Sequence, residues 1–351
     1  MAVEKKGKTK NSSYQELREA LKSGEVKNLY VFTGEEAYLR EYYLGEMKKA
    51  LVPCFEEFNY HRCEGKGLTV RALAEMAEAM PMMAERSLII VTDFDPFQLG
   101  ETEREQFLAL ISDFPEYCCL VLHFDLAEYK PNKVMKKLCK AMDEQFTVVE
   151  FSAQDKSELM NWVRRRCKAL GKEIGVQAAE HLLFTCGSLM TGLIPEIAKI
   201  CAYAKGQEVT VKDIDAVASP VLEAAVFNLT NAISAGKYDA AAEELGKLFQ
   251  QQEEPIVILS AMGRELRRLY TARLAIDGGK GKNWLMEVWN MRSDYPARLL
   301  MDEAKRVTTD WCREGVAMAQ RLDRRLKSEK GIDGEAELKL FLVQLEQRAR
   351  R

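Results

Sequence analysis

The segment from Leu29 to Glu41 contains the residues whose types and spacing come nearest to a phosphate-binding site. A short apolar run with β-branched and aromatic side chains reaches Gly34, and a helical pattern follows at once. This order of strand, loop and helix opens a nucleotide-binding α/β domain, in which backbone N–H groups and one lysine bind phosphate. A working loop reads G-x-x-x-x-G-K-[ST], and the count here begins at Gly34.

The positions that perform the chemistry of such a loop hold unsuitable residues. The residues at the second glycine, the lysine and the hydroxyl position are Leu39, Arg40 and Glu41. Leu39 prevents the close backbone approach that glycine allows, and Glu41 places a carboxylate where a hydroxyl would ligate magnesium. Glu35 and Glu36 add negative charge that repels phosphate. We therefore predict an ATPase fold that does not use ATP, with a degenerate phosphate loop and no cofactor.

The other elements of an ATP-hydrolysing site are also missing from the sequence. The apolar run from Ser87 to Thr92 ends in Asp93, but Phe94 stands where a glutamate would polarise water. Asp93 is predicted to be a turn or helix-cap residue rather than a metal ligand. The stretch His123-Phe-Asp-Leu-Ala-Glu-Tyr129 has no arginine that could reach a neighbouring nucleotide. The sequence therefore predicts no catalytic site.

Length and composition predict a multidomain globular protein. The 351 residues favour two or three domains, and the net charge of -3 excludes a surface that is basic throughout. The nine cysteines form no C-x-x-C pair and the three histidines show no metal or triad spacing, so no metal site is predicted. Because no signal peptide and no apolar run of about 18 residues is found, we expect a cytoplasmic protein with reduced thiols and no membrane contact.

Residues 14–150 alternate between strand and helix patterns. Strands are predicted at 29–33, 57–63, 87–92, 118–124 and 146–151. Helices are predicted at 14–23, 37–51, 68–80, 101–113 and 133–143. Near-continuous apolar strands between helices are typical of a parallel sheet covered on both faces. The lysine-rich residues 1–13 are predicted to form a disordered tail.

The rest of the chain, from residue 154, has no convincing strand pattern. Residues 151–218 are predicted to form a small helical lid, with helices at 156–170, 175–185, 189–204 and 211–218. Residues 219–351 are predicted to form a larger helical bundle, with helices at 221–235, 237–252, 255–277, 295–304, 308–328 and 334–349. The predicted fold class is α/β plus all-α: a five-stranded parallel sheet domain, a lid and a C-terminal bundle.

The segment Pro81-Met82-Met83-Ala84-Glu85-Arg86 is the strongest positive signal in the sequence. A helix ends, proline forces an extended exit, and two large apolar residues precede the next strand. One interpretation buries Met82 and Met83 under the sheet, as most apolar pairs beside a strand are buried. The other makes them a protruding apolar plug for a partner's pocket, to which flexible thioether side chains adapt well.

Four motifs in order resemble the delta subunit family of the bacterial DNA polymerase III clamp loader. Residues 34–39 are similar to the family's Gly-Glu-(Glu/Asp)-x-(Tyr/Phe)-Leu, and residues 81–86 to its Leu-Pro-Phe-Phe-Ser-Glu-Arg segment. Residues 251–256 with 262–266 resemble its collar signature, and residues 322–328 its late Asp-x-x-(Leu/Ile)-Lys element. The resemblance runs from about residue 14 to residue 346 and implies an AAA+-like domain, a lid and an oligomerising collar.

The resemblance implies a mechanical role in DNA replication rather than catalysis. Met82 and Met83 match the two apolar positions that enter the cleft of the sliding clamp (beta), where the family usually has Leu or Phe. The collar, residues 219–351, would pack beside the ATPase subunits (gamma/tau) and delta-prime, and the complex would act on primed DNA. The implied location is the nucleoid-associated replisome in the cytoplasm.

Contact with DNA is a separate expectation. Trp289 and Tyr295 could stack on an unpaired base, although core packing is the favoured interpretation for both aromatic residues. Basic stripes on the lid and collar are interpreted first as solvated faces or inter-subunit salt links. Two alternatives to the clamp-loader interpretation therefore stay open: a degenerate AAA+ ATPase and a collar-type DNA-binding protein.

Overall fold

The computed structural model describes residues 12–291 and 293–349. They belong to two compact units, and the first consists of residues 12–154 with 189–191. The second consists of residues 155–188 with 192–349. The predicted tail, residues 1–13, lies largely outside the described residues, and the first helix begins at Ser12.

The first unit is built on a five-stranded, all-parallel sheet. Its strands are β1 Leu29–Thr33, β2 Tyr60–Glu64, β3 Ser87–Thr92, β4 Cys118–His123 and β5 Thr147–Glu150. They are arranged in the order β2-β3-β4-β1-β5, with Val31 of the inner strand β1 paired to Leu122 and Val148. The predicted fold class, a parallel five-stranded sheet domain followed by helices, is confirmed.

Helices cover both faces of this sheet. They are α1 Ser12–Ser23, α2 Ala37–Leu51, α3 Glu56–Asn59, α4 Val70–Glu78, α5 Glu101–Ser112 and α6 Lys136–Gln145. Alternate residues of each inner strand point into different cores: Leu29 and Val31 pack with Phe107 on one face, while Tyr30 and Phe32 pack on the other. Because both faces are buried, the strands are apolar throughout, which is why sequence periodicity located them well.

Two boundaries differ from the prediction near the Met82 segment. The second strand begins at Tyr60 instead of residue 57, because the one-turn helix α3 occupies residues 56–59. Helix α4 begins after Thr69, whose hydroxyl accepts a hydrogen bond from the Ala72 N–H, and ends at Glu78. Met80 therefore lies outside the helix, in the irregular segment that leads to β3.

The second unit is almost entirely helical. Its helices are α7 Lys156–Ala169, α8 Val176–Cys186, α9 Met190–Tyr203 (from residue 192), α10 Val211–Val217, α11 Leu222–Ser234, α12 Tyr238–Gln250, α13 Pro255–Asp277, α14 Lys282–Val288, α15 Asp294–Ala304, α16 Thr309–Ser328 and α17 Gly334–Ala349. The expectation of no strand was wrong in detail, since β6 Glu173–Ile174 and β7 Glu208–Val209 pair in parallel. Strands of two residues are too short to give a periodic signal.

A continuous apolar core joins the helices from α11 to α17. Leu229, Leu266 and Leu300 from three of these helices are fully buried in it. The short helix α14 was not among the helices predicted from the sequence. The separation of residues 151–351 into a lid and a collar stays a prediction.

Within the described part of the chain, no single helix has the length and hydropathy needed to cross a membrane. α10 and α11 meet those criteria only as a pair, and the chain bends by 106° between them.

Candidate functional site

The degenerate phosphate loop makes a tight turn between β1 and α2. Gly34 has a φ of +117°, and a Cβ at this position would lie 2.4 Å from the Phe151 carbonyl oxygen. The Glu36 N–H donates to the same Phe151 oxygen at 3.0 Å. Glycine is required here by both the backbone conformation and the close approach, so the loop keeps its shape although its phosphate-binding residues are absent.

Arg40, at the lysine position, is directed toward protein groups rather than solvent. Its guanidinium donates to the Gly34 carbonyl and to the Asp125 carboxylate, the latter at 2.6 Å, and its exposed fraction is only 4%. Its Nε also donates to His123 Nε2 at 3.3 Å. Burial lowers the pKa of His123, which favours the neutral imidazole that can accept this bond. The Arg40 guanidinium, which stands at the position of the phosphate-binding lysine, therefore hydrogen-bonds to groups of the protein itself.

Leu39 and Glu41, on either side of Arg40 in the sequence, also contact other residues of the first unit. Glu41 forms two hydrogen bonds with Arg62, at 2.6 and 2.9 Å, and these bonds lower the pKa of its carboxyl group. Leu39 is partly buried against the apolar core that contains Tyr43 and Phe151. The structure thus brings Gly34 and Arg40 together. Leu39 packs against the apolar core, and Glu41 forms an ion pair with Arg62 at the surface.

Asp93, the acid at the end of β3, caps the loop that follows β4. Its carboxylate accepts hydrogen bonds from three successive backbone N–H groups, at distances of 2.8 to 3.1 Å, from Asp125, Leu126 and Ala127. Its own backbone has a φ of 55°. The prediction of a turn or cap residue is confirmed, since both carboxylate oxygens serve this loop.

The segment between α4 and β3 displays its methionines to solvent. The exposed fractions are 81% for Met80, 45% for Met82 and 78% for Met83. Burial of Met82 and Met83 beneath the sheet, one of the two sequence interpretations, is therefore wrong. Their role in binding a clamp stays a prediction.

The backbone that carries these side chains is held by the buried residue Asn59. The Met82 N–H donates to Asn59 Oδ1 at 2.7 Å, and Asn59 Nδ2 donates back to the Met82 carbonyl at 2.9 Å. Asn59 Nδ2 also donates to the Cys54 carbonyl at 3.0 Å, and the Cys54 thiol lies 3.3 Å from the Met83 carbonyl. A buried asparagine with three bonds fixes a short segment firmly, so the apolar side chains project from a rigid base.

Backbone strain and neighbouring aromatic residues complete this surface. Met83 has a φ of 49°, in the left-handed region that few residues other than glycine adopt. Phe55, which precedes α3, is 39% exposed, and Phe58, within α3, is 55% exposed. The segment between α4 and β3 and the region of α3 thus carry five exposed large apolar side chains, which we call the apolar ridge: Phe55, Phe58, Met80, Met82 and Met83.

Arg86 ties the far end of the segment to the sheet domain. Its guanidinium donates to the carbonyls of Val26 and Lys27 and, at 2.6 Å, to the Asn28 side chain. The segment is therefore anchored on both sides of the exposed methionines, by Asn59 and by Arg86. Arg86 belongs to the motif seen in the sequence, whereas the role of Asn59 was not predicted, because a lone asparagine 23 positions away from Met82 leaves no local pattern.

The two aromatic residues considered for DNA contact lie in the second unit. Trp289 is half-buried against the helical core, with the Arg268 guanidinium 5.5 Å from its ring centre. The Tyr295 hydroxyl is 2.9 Å from His181 Nδ1, and its ring packs 5.7 Å from that of Phe184. Both rings have partners within the unit, and their role in binding DNA stays a prediction.

Acidic side chains pair with much of the basic surface of the helical unit. Arg268 contacts Glu265 at 3.3 Å, and Arg325 binds Glu337 through two hydrogen bonds of 3.0 Å. Such pairs neutralise the stripes locally, which agrees with the interpretation as solvated, ion-paired faces. In the described residues, no group of three or more His, Cys, Asp or Glu side chains could hold a metal ion.

The strand order and the loop at Gly34 together define the structural class of the first unit. The parallel order β2-β3-β4-β1-β5, a glycine turn after β1 and a following helical unit are the marks of an AAA+-like domain, here with Arg40 bound internally. Family models for "DNA polymerase III, delta subunit" and for its C-terminal domain match residues 30–152 and 223–345. The chain belongs to the DNA polymerase III delta subunit family.

Individual relatives agree with this assignment along nearly the whole chain. The chain is 26% identical to DNA polymerase III subunit delta of Bacillus subtilis, over 93% of its own length and 95% of that protein's. It is 20% identical to the probable delta subunit of Aquifex aeolicus, over 77% of each. The solved structure of the B. subtilis clamp loader delta protein superposes with a TM-score of 0.51, covering 95% of this chain and 99% of the other.

Proposed function

We propose that this protein is the clamp-binding and clamp-opening subunit of a DNA polymerase III clamp loader, and that its apolar ridge is the plug that enters the sliding clamp. The observation that carries the proposal is the exposure of Met82 and Met83 on a backbone anchored by Asn59. An exposed apolar cluster on an anchored backbone has features of an interface hot spot, because little backbone conformational entropy is lost when it binds.

Opening the clamp follows from differential binding. A ligand shifts an equilibrium only by its difference in affinity for the two states. The ridge would bind one strained or open state of the ring better than the closed state, and the ring would shift toward opening without any bond being made or broken. No catalytic group of this chain takes part.

Nucleotide would act on this chain only through its partners. Because Arg40 is occupied by Gly34, Asp125 and His123, the loop has no free cation to offer to ATP. The helical collar would pack beside the ATPase subunits and delta-prime, and ATP bound by those subunits would expose or hide the ridge. The assembly would act on primed DNA in the cytoplasm, at the replisome.

The experiment is an affinity measurement with the purified sliding clamp. The double variant Met82→Ala with Met83→Ala should lose more than about 2 kcal/mol of binding free energy, a loss typical of hot-spot side chains. Leu126→Ala is the matched control, because Leu126 is 93% exposed in the same unit but lies on the loop after β4. Unchanged clamp affinity in a folded double variant would refute the proposal.

A further inference from the structure

Methionine is distributed unevenly between the surface and the interior of this protein. Among the fourteen methionines of the described residues, three are exposed, and they fall within four consecutive positions: Met80, Met82 and Met83. Six others are buried: Met47, Met142, Met160, Met190, Met262 and Met318. Five are partly covered: Met76, Met135, Met286, Met291 and Met301. Accessible thioether groups are therefore concentrated on the apolar ridge.

A thioether differs chemically from the leucine or phenylalanine that could fill the same volume. A peroxide transfers one oxygen atom to the sulfur of methionine, so that the thioether is oxidised to a sulfoxide while hydrogen peroxide is reduced to water. The product is polar and chiral, and methionine sulfoxide reductases return it to the thioether. Aliphatic and aromatic side chains at these positions would not undergo this reaction under the same conditions.

We propose that Met82 and Met83 form a reversible oxidation site that weakens clamp binding when either thioether becomes a sulfoxide. This inference rests on the proposed function, since it assumes that these two side chains enter an apolar pocket of the clamp. A sulfoxide oxygen buried there without a hydrogen-bond donor carries the cost of an unpaired polar group. We expect clamp affinity to fall at least about tenfold, a ratio that corresponds to about 1.4 kcal/mol.

The fold itself should tolerate the oxidation. The bonds that anchor the segment come from backbone groups of Met82 and from Asn59, not from the sulfur atoms. Because Met83 is 78% exposed, an added oxygen on its sulfur would meet solvent in the free protein. The site would therefore respond to an oxidant by a change in binding and not by unfolding.

Cys54 is a second oxidisable group beside the ridge, and the effect of its oxidation must be distinguished from that of the methionines. Its thiol is partly exposed and lies 3.3 Å from the Met83 carbonyl. A thiol reductant such as dithiothreitol reverses disulfides and sulfenic acids but leaves methionine sulfoxide intact. Measurements are therefore made on Cys54→Ser protein, in which a hydroxyl can replace the thiol beside the carbonyl, and dithiothreitol is added after the peroxide.

The test combines a chemical map with a binding measurement on the full chain. Protein is treated with a graded amount of hydrogen peroxide, and peptide mass spectrometry locates each sulfoxide. Clamp affinity is then measured before oxidation, after oxidation, and after treatment with both methionine sulfoxide reductases. The Met82→Leu, Met83→Leu double variant is treated in parallel, and its affinity after peroxide is compared with its own affinity before.

The proposal predicts sulfoxides at Met80, Met82 and Met83 before the buried methionines, a loss of clamp affinity in the methionine protein, and recovery with the reductases. The leucine variant should show the same affinity before and after peroxide. Sulfoxides at Met82 and Met83 without loss of affinity would overturn the inference, and so would an equal loss in the leucine variant. If untreated protein does not bind the clamp at all, the proposed function fails instead, while the mass map still reports whether the ridge is oxidised selectively.

Discussion

Asn59 and Met82 form a reciprocal pair of hydrogen bonds across 23 positions of sequence. The Met82 N–H donates to the Asn59 side-chain oxygen at 2.7 Å, and the Asn59 amide nitrogen donates to the Met82 carbonyl at 2.9 Å. The side-chain amide thereby imitates one rung of a β-ladder for a segment that has no strand partner of its own. The pair links Asn59, which is fully buried, to Met82, which is exposed. The position of the ridge therefore depends on how Asn59 is packed in the first unit.

Asn59→Ala should weaken both the fold and clamp binding. The substitution leaves the Met82 N–H and two carbonyl groups without their partners, which costs about 1–3 kcal/mol for each buried group that stays unsatisfied. Denaturant unfolding should show a lower free energy of unfolding, and clamp affinity should fall although no residue of the ridge has changed. Asn59→Asp is the informative comparison, because aspartate retains the acceptor for the Met82 N–H but loses both donated bonds. Full clamp affinity in a folded Asn59→Ala protein would contradict the role of this pair.

Arg40→Met should destabilise the first unit without affecting the ridge directly. The methionine would retain much of the apolar stem, while the bonds to Gly34, Asp125 and His123 would be lost. Hydrogen bonds to charged groups contribute about 1.5–3 kcal/mol each, and the loss should lie near the lower end because Asp125 is partly exposed to solvent. Thermal unfolding provides the measurement, and Arg71→Met, at an exposed i,i+4 pair with Glu75, provides the control.

A second substitution of Arg40 tests whether the loop has lost nucleotide binding. Arg40→Lys restores the residue type of a phosphate loop, but Leu39 and Glu41 still occupy the glycine and hydroxyl positions. Neither the unaltered chain nor Arg40→Lys should show saturable binding of labelled ATP with magnesium. Micromolar binding by the unaltered chain would favour the alternative of a degenerate but working AAA+ ATPase.

Glu303 should make the stability of the helical unit depend on pH. This carboxyl group is 1% exposed, and the nearby Ser234 hydroxyl and Arg306 guanidinium only partly offset the effect of its burial. Burial raises its pKa to about 8, with a further contribution from nearby Glu265. Because the folded state holds the proton more tightly than the unfolded chain, stability should fall as pH rises from about 4.5 to about 8, by at most about 1.4 kcal/mol per pH unit.

Glu303→Gln removes this titrating group and should abolish its contribution to the pH dependence. The variant should be more stable than the unaltered protein at pH 8–9, with the difference shrinking toward pH 5, where the carboxyl group is protonated when folded. Urea unfolding at several pH values measures the effect. Glu287→Gln, on the exposed face of α14, should leave the pH profile unchanged. A gain that is equal at pH 5 and pH 9 would argue against titration of Glu303.

The strand and helix order of the first unit could be predicted from the sequence because burial on both faces of a parallel sheet leaves long apolar runs. The strands around Val31, Ile90 and Leu120 are nearly continuous in apolar residues, and their positions were predicted to within a residue or two. The loss of the phosphate site was also visible, since it depends on the residues at three fixed positions after Gly34.

Other features depend on contacts between distant positions. Sequence periodicity left open whether Met82 and Met83 are buried, because an apolar residue beside a strand can face either the core or solvent. The tertiary structure decided it by placing Asn59 beneath the segment and Arg86 at its end, so that the methionines project outward. The partners of Arg40 were equally hidden, since Asp125 and His123 lie more than 80 positions away.

The loop at Gly34 shows both contributions in one place. Local sequence determined that a strand, a glycine turn and a helix follow one another, because each depends on side chains within a few positions. Only the tertiary structure decided that Arg40 turns inward to bind the loop itself, because that choice depends on which groups β4 and its following loop bring within hydrogen-bond distance. Local propensity sets the elements, and long-range hydrogen bonding sets what their side chains can still bind.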